Sequence, residues 1–534
     1  MKIKNIYIAL LAVATVALPA CESDVLDLTP ITSFTSDVVY ESADRCELAV
    51  IGAYAAAQTS NYDGSYSRGY PFGAASIFQG EMRGEDMCNT QAFYQYTYES
   101  MVNTTSTFNN IAMWEATFET VNICNVVLKG VTEAHANGVI NDATFNQYKG
   151  EMLFLRAMCY HYMMLYFALP YNMTGNNDYG LPIYTEPSDS KDGLNANMEI
   201  GRSTVKETYA FILDNLNEAE NLLPQKHPVN SVTRATSGAA VAMKTRVYLH
   251  MRDWNNVITE AKKLVSDADP AQGKTVYALT PSCDTPFSTA QSDNPESIFS
   301  VENSSTDHGS VNGAMYSMMI SRWLVCTSPI LYNSTWWLED DTRRTKLLYD
   351  VYEGEGAADD VYFYSCYKYP DETMGDNAPI IRYAEVLLNY AEAAARGGDT
   401  TTGLALLNAV RNRSLADPAT QGYTDFASAK DLVEAILWER RIEFQGEGRR
   451  WEDLHRLAQD DLFPANGIPA KFNGAALYAD FPGAYKFGDM DIVNDPSNYI
   501  TRAYDVSNRN FLWPIPQRVL TRNATLAQQQ NQGW

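Results

Sequence analysis

The feature that most constrains this chain is a helical stripe that stops at a tight turn and starts again. In "IIRYAEVLLNYAEAAARGGDTTTGLALLNAVRNRS", Ala384, Leu387, Leu388, Ala391, Ala394 and Ala395 recur at i, i+3, i+4 and i+7 spacing and so share one face of a helix. "GGD" follows, and a second helical run continues through Asn408. "SGAAVAMKTRVYLHMRDWNNVITEAKKLV" repeats the scheme, with its turn at Asp253 and alanines where two helices must approach closely. Similar periods run over about 42–57, 108–129, 145–167 and 203–223. The chain therefore reads as mainly α.

Helix pairs of this length look like tetratricopeptide repeats, although they are not tandem at the usual period of about 34 residues. Long insertions separate them. Residues 61–100 and 276–379 carry Gly, Tyr, Phe, Pro and Asn without a sustained helical period, and the second holds short β-like runs such as "SIFSVEN". A third irregular stretch runs from Asn466 to Asn510. With 34 tyrosines and 9 tryptophans, the chain has rings to spare for these segments, and their density there argues for function rather than disorder.

The formal net charge of −25 repels phosphate backbones, which argues against nucleic acid and against direct binding of the body to an anionic membrane. The opening "MKIKNIYIALLAVATVALPAC" has Lys2 and Lys4, an apolar run from Ile6 to Leu18, and small residues before Cys21, the layout of an export signal. "LPAC" resembles the lipobox of bacterial lipoproteins. Residues 1–20 are then a cleaved signal, Cys21 is the lipidated first residue, and 21–30 is a polar tether. Simple secretion with Cys21 as an ordinary thiol is the alternative. No other run of roughly twenty apolar residues is present to span a bilayer.

Seven further cysteines lie far apart without a C-x-x-C pair, so neither a zinc site nor a dense disulfide framework is indicated, and an odd number leaves at least one thiol free. The histidines show no metal-ligand spacing. The acidic loops permit a structural calcium, but no calcium-loop motif is present, and no cofactor is expected.

"WERRIEFQGEGRRWEDLHRL", Trp438 to Leu457, poses a sharper question. Glu439 and Glu443 stand four apart on one helix face, as a carboxylate pair for acid/base work would. Arg440, Arg441, Arg449 and Arg450 supply enough countercharge for Glu439, Glu443, Glu447 and Asp453, at i+3 and i+4 spacing or across the turn at Gly446 and Gly448. No nucleophile or second acid motif accompanies them, so the segment reads as a structural salt-bridge network.

"GEMLFLRAMCYHYMMLYF", "RATSGAAVAMKTRVYLHMRDWNNVITEAKKLV", "IIRYAEVLLNYAEAAARGGD", "ERRIEFQGEGRRWEDLHRL" and "FLWPIPQ", in this order after a lipobox, resemble the SusD/RagB family of outer-membrane lipoproteins from Bacteroidetes. The resemblance spans nearly the whole chain. It implies a single body over 31–534, mainly helical, with tetratricopeptide-like helix pairs at 108–167, 203–266, 380–413 and 429–458, decorated by loops and short β-hairpins. It also implies a binding protein rather than an enzyme, held on the outer membrane and facing the exterior. Such proteins capture oligo- or polysaccharides, or in some members peptides, and sit like a lid on a SusC-like TonB-dependent transporter. The "ESD" after Cys21 is similar to the signal for the outer face.

Pyranose rings offer flat C–H faces that aromatic side chains cover, while nearby polar groups bond the hydroxyls. The family draws its ligand platform from the regions matching 61–100 and the first part of 276–379. The candidates are Arg83, Asp86, Phe93, Tyr94, Tyr96 and Tyr98 from the first, and Tyr316, Arg322 and Trp323 from the second, with Trp323 foremost. Trp336 and Trp337 read as structural. Peptide capture stays open, as does a lipid-anchored glycoside hydrolase, for which Glu81, Glu85 and Asp86 cluster near the rings, and so does a scaffold that binds only another protein.

Overall fold

The structure is a computed structural model that describes residues 39–59, 69–90, 105, 107–173, 178–228, 232–287, 294–309, 311–352, 361–479 and 483–534. It is mainly α, and its principal helices are α1 (Ala43–Gln58), α2 (Ala74–Met82), α3 (Phe108–Ala136), α4 (Asp142–Phe167), α5 (Val205–Leu222), α6 (Ser237–Met251), α7 (Trp254–Leu264), α8 (Tyr383–Arg396), α9 (Thr400–Arg411), α10 (Ala429–Glu443) and α11 (Arg449–Arg456), with a further helix at Lys191–Met198 and shorter helical turns between and after them.

Local hydrogen bonds set where these helices begin. Asn141 accepts the Thr144 N–H at the start of α4. At α5, Thr204 accepts from the Glu207 N–H while the Glu207 carboxylate accepts from the Thr204 N–H, so two end groups are satisfied at once. Asp253 and Asp399 cap α7 and α9 by accepting the N–H groups of Asn256 and Thr402. Between α8 and α9 the chain turns through Gly398, whose φ of +90° suits a residue without Cβ.

Packing passes from one helix to the next. α3 lies against α4, α4 against α5, α5 against α6, and α6 and α7 against α8, which then meets α9 and α10. The alanine and leucine stripe of α8 is buried throughout, so the face read from its spacing is the face in the core. α2 lies inside the segment read as irregular from its sequence, and every residue in it is buried. In its "AASIFQGEM" the polar Gln79 and Glu81 stand two apart and so on opposite sides of the helix, leaving no polar face and no period to recognise. It packs on the turn before α11 so closely that a Cβ on Gly80 would lie 2.2 Å from the Gly448 carbonyl oxygen.

Eight short strands form four two-stranded antiparallel ladders among the described residues. β1 (Met87–Asn89) pairs with β3 (Val325–Thr327), and β2 (Ser297–Val301) pairs with β6 (Ala378–Arg382). β4 (Leu348–Tyr352) pairs with β5 (Val361–Cys366), and β7 (Gly467–Ile468) with β8 (Tyr504–Asp505). Because β2 and β6 pair, the large insertion leaves and rejoins the helical body at one place, directly before α8.

The charged stretch after Trp438 is interior. Glu439 pairs with Arg343 and Arg411, and Glu443 with Arg343, Arg382 and Arg413. Glu447 binds Lys368 and Arg382, Glu296 binds Arg382 and Arg413, and Asp341 completes Arg343. Five acids thus meet five bases, with no side chain more than 7% exposed. The segment's own arginines mostly face elsewhere. Arg440 holds Asp453, Arg449 holds Glu452, and Arg441 and Arg450 reach Glu85 and Asp86. The network is structural, but its partners come from the insertion, from the end of β6 and from the end of α9 and the turn after it more than from neighbours in sequence.

Burial alone would raise the carboxyls of this interior. The guanidiniums of Arg246 beside Glu385, Arg456 beside Glu392 and Arg450 beside Glu85 reverse this and hold each at about 2. Glu443 and Glu447 are likewise held below the usual carboxylate range, against their burial, by Arg413, Arg382 and Lys368. A carboxyl whose folded value is depressed contributes stability that is present above its unfolded value, about 4.3, and lost as pH falls. Cooperative acid unfolding is expected between about pH 4 and pH 2, followed by circular dichroism. Native signal retained at pH 2 would contradict it.

Candidate functional site

β1 and β3 bring together the two segments that carry the candidate ligand residues. Beyond the ladder, the Thr90 N–H donates to the Leu324 carbonyl at 3.1 Å and the Thr90 hydroxyl donates to the Trp323 carbonyl. The chain then enters residues 91–100, so Phe93, Tyr94, Tyr96 and Tyr98 lie outside the described residues.

Trp323 stands on unusual backbone. It follows a π-helical turn, Ser317–Ser321, and adopts φ +50°, a left-handed conformation that is rare for a bulky side chain. Its ring is 37% exposed and meets Phe363 of β5 edge to face at 6.4 Å. A strained residue held by cross-strand hydrogen bonds and presenting a large ring outward is a recurrent mark of a binding position.

Strand alternation continues the surface. Val351 faces Phe363 and Tyr349 faces Ser365, so these residues and Tyr367 fall on one side of the β4–β5 ladder. The Ser365 hydroxyl donates to the Met319 carbonyl at 2.7 Å, seating this side against the π-helical turn. Tyr349 and Tyr367 are 41% and 39% exposed and stack with ring centroids 5.8 Å apart. Tyr316 is half-buried. Burial first, then the nearby Glu372, Tyr349 and Tyr367, raise its hydroxyl above the ordinary phenol range, which places these groups around one another. From Phe363 to Tyr367 the strand rises about 13 Å; Phe363 and Ser365 are buried, and the exposed rings stand at the two ends, Trp323 against Phe363 and the Tyr349–Tyr367 pair beyond Ser365. Arg322 is half-buried beside them and donates to Asn312 Oδ1 at 2.7 Å.

Tyr316, Arg322 and Trp323 therefore share one region, while Arg83 and Asp86 do not belong to it. Arg83 is 1% exposed, with its guanidinium 4.0 Å from the Trp451 ring centroid and donating to the Phe511 carbonyl at 3.0 Å. Asp86 is equally buried and receives the Arg441 Nε on both oxygens at 3.0 Å. Both hold α2 and β1 against α11, and in this conformation neither can reach a ligand. Tyr349 and Tyr367 escaped the sequence reading. The alternating rings of "VYFYSCYKY" were the available signal, but which rings face outward depends on the pairing partner.

The acids considered for hydrolysis are interior as well. Glu85 is bound by Arg450 and Arg441. Glu81 is raised to about 8, mainly by burial and then by Asp86, and accepts the Gly448 N–H at 2.7 Å. A separate groove of about 370 Å³ is lined by Trp114, Phe118, Tyr184, Leu194, Met198 and Arg518, among others. Trp114 is almost wholly buried there and offers no open face for a sugar ring to stack on.

Two family models match the chain: "SusD family" over residues 358–534 and "Starch-binding associating with outer membrane" over residues 57–249. A SusD-like protein P38 of Formosa agariphila is 22% identical, covering 88% of this chain and 94% of the relative. A SusD superfamily protein from Bacteroides fragilis, known as a crystal structure, superposes with a TM-score of 0.71 at 25% identity, covering 91% of this chain and 99% of that one. A laminarin-binding SusD-like protein has the same fold, with a TM-score of 0.66 at 19% identity over 93% of this chain and all of that one. The two models cover both ends of the helical body, and full-length relatives and the fold agree with them: the chain belongs to the SusD/RagB family.

Proposed function

We propose that this protein is a surface glycan-binding lipoprotein that captures an oligo- or polysaccharide on the aromatic surface around Trp323 and passes it to a SusC-like TonB-dependent transporter. The observation that carries this reading is the exposed, strained Trp323 against Phe363 of β5, with the exposed Tyr349–Tyr367 stack at the other end of the same ladder. The starch-binding description of one matched family model and the laminarin-binding relative support the ligand class. The export signal and Cys21, which lies outside the described residues, support anchoring to the outer membrane on its exterior side. A role in binding rather than hydrolysis is favoured because Glu81 and Asp86 are buried, and Glu85 and Asp86 are ion-paired. Two carboxylates facing a substrate would be needed for glycosidic cleavage.

Calorimetric titration of the body after Cys21 against neutral glucans including laminarin, charged polysaccharides and peptide mixtures tests the reading. Binding confined to a glycan class supports it, and binding of peptides alone overturns it. In the same titration, Tyr349→Ala with Tyr367→Ala is expected to weaken glycan binding by roughly 5- to 10-fold, about 1 kcal/mol or slightly more for the two partly exposed rings. Unchanged affinity would remove the β4–β5 rings from the surface.

A further inference from the structure

β1 and β3 set Cys88 directly opposite Cys326, and the two sulfurs stand 3.5 Å apart. Two positions to either side, the Thr90 N–H donates to the Leu324 carbonyl and the Ser328 N–H donates to the Asp86 carbonyl. Alternation along an antiparallel ladder makes Cys88 and Cys326 a hydrogen-bonded pair too, with a Cα spacing near 5.5 Å. A disulfide spans Cα separations of about 4.4–6.8 Å, and side-chain rotation has only to draw the sulfurs together by about 1.5 Å. The residues are 238 positions apart in sequence, so a bond here would join distant parts of the chain.

We propose that Cys88 and Cys326 close into a disulfide when the chain is exported, and that this bond clips together the two segments carrying the binding surface. The inference rests on the exported, ligand-binding reading above. Structural disulfides persist in oxidising compartments such as the bacterial periplasm. The oxidant is a disulfide of the thiol-oxidoreductase class. One cysteine thiolate attacks it, forming a mixed disulfide and releasing one thiol. The second cysteine thiolate then attacks the first cysteine's sulfur and expels the other oxidant thiol. Two protein thiols are oxidised and one oxidant disulfide is reduced to two thiols, which take up the two protons given up by the cysteines.

Both cysteines are fully buried, so exchange precedes closure of the ladder during folding. Burial, foremost, raises the Cys326 thiol well above its ordinary range, which makes the folded dithiol a poor nucleophile. Phe363, Phe472 and Leu477 pack in the same apolar cluster, so the finished bond is shielded from reductants as well. Its position fits the site, since Cys88 lies two residues before Thr90 and Cys326 three after Trp323.

The test uses the full chain exported to an oxidising compartment, denatured without reductant, alkylated with iodoacetamide and digested for mass spectrometry. The peptides bearing Cys88 and Cys326 are expected unlabelled and cross-linked, and separable only after reduction. Full labelling of both, or linkage of Cys88 to a different cysteine, would overturn the proposal. As a second measurement, reductant is expected to lower the melting temperature of the wild type by several degrees and to leave that of the Cys88→Ala/Cys326→Ala variant unmoved. An equal melting temperature for the wild type in both conditions would also overturn it. Neither readout involves a glycan, so failure of the binding reading is scored separately in the titration.

Discussion

Glu443→Ala is expected to destabilise the protein by roughly 3–5 kcal/mol, the usual cost of removing one partner from a buried ion pair. Glu443 accepts from Arg343, Arg382 and Arg413, at 3.0, 3.1 and 2.6 Å, and all four side chains are buried. Without the carboxylate, three guanidiniums face one another in a poorly solvated interior with one negative charge fewer. Glu443→Gln keeps the volume and some acceptor capacity, so it is expected to cost nearly as much only if charge is what matters. Urea unfolding of both variants decides this. A loss below about 1 kcal/mol for Glu443→Ala would show that water relieves the site and that the lattice is not closed.

Trp323→Ala is expected to weaken glycan binding at least 30-fold, about 2 kcal/mol, the scale on which a central aromatic anchor acts. The ring projects from the surface, so the melting temperature is expected to change little. Trp323→Gly should lose affinity to the same degree while relieving the left-handed backbone, and so be no less stable than the alanine variant. Full affinity in both variants would move the site away from the π-helical turn.

Sequence was most informative where periodicity is one-sided. The stripe of α8 and the turn into α9 could be read from spacing because one face is apolar and the other is not. α2 could not, because it is only nine residues long and its Gln79 and Glu81 fall on opposite sides, so no polar face marks a period. Trp323 was readable as a large ring on an irregular segment. Its neighbours Tyr349 and Tyr367 were not, because exposure in a hairpin follows from register, a property of two strands together. Arg83 and Asp86 misled for the same reason: a charge in a ring-rich loop looks solvent-facing until its partners, Trp451 and Arg441, arrive from more than three hundred residues away. The charged stretch after Trp438 was rightly seen as paired, but spacing suggests neighbours, whereas burial selects partners by geometry.

The order of residues in the five-acid, five-base lattice bears on how the chain folds as it is made. All five bases precede residue 439, but only two of the acids do, Asp341 beside Arg343 and Glu296 beside Arg382 and Arg413, so three positive charges wait for Glu439, Glu443 and Glu447. Until the segment near residue 447 arrives, burying those cations is opposed by a desolvation cost of several kcal/mol each. The base of the insertion therefore stays open while the first four fifths of the chain are delivered. The charged interior beside the β2–β6 ladder is therefore expected to close only when α10 docks, and a chain cut short before residue 439 is expected to lack the native fold.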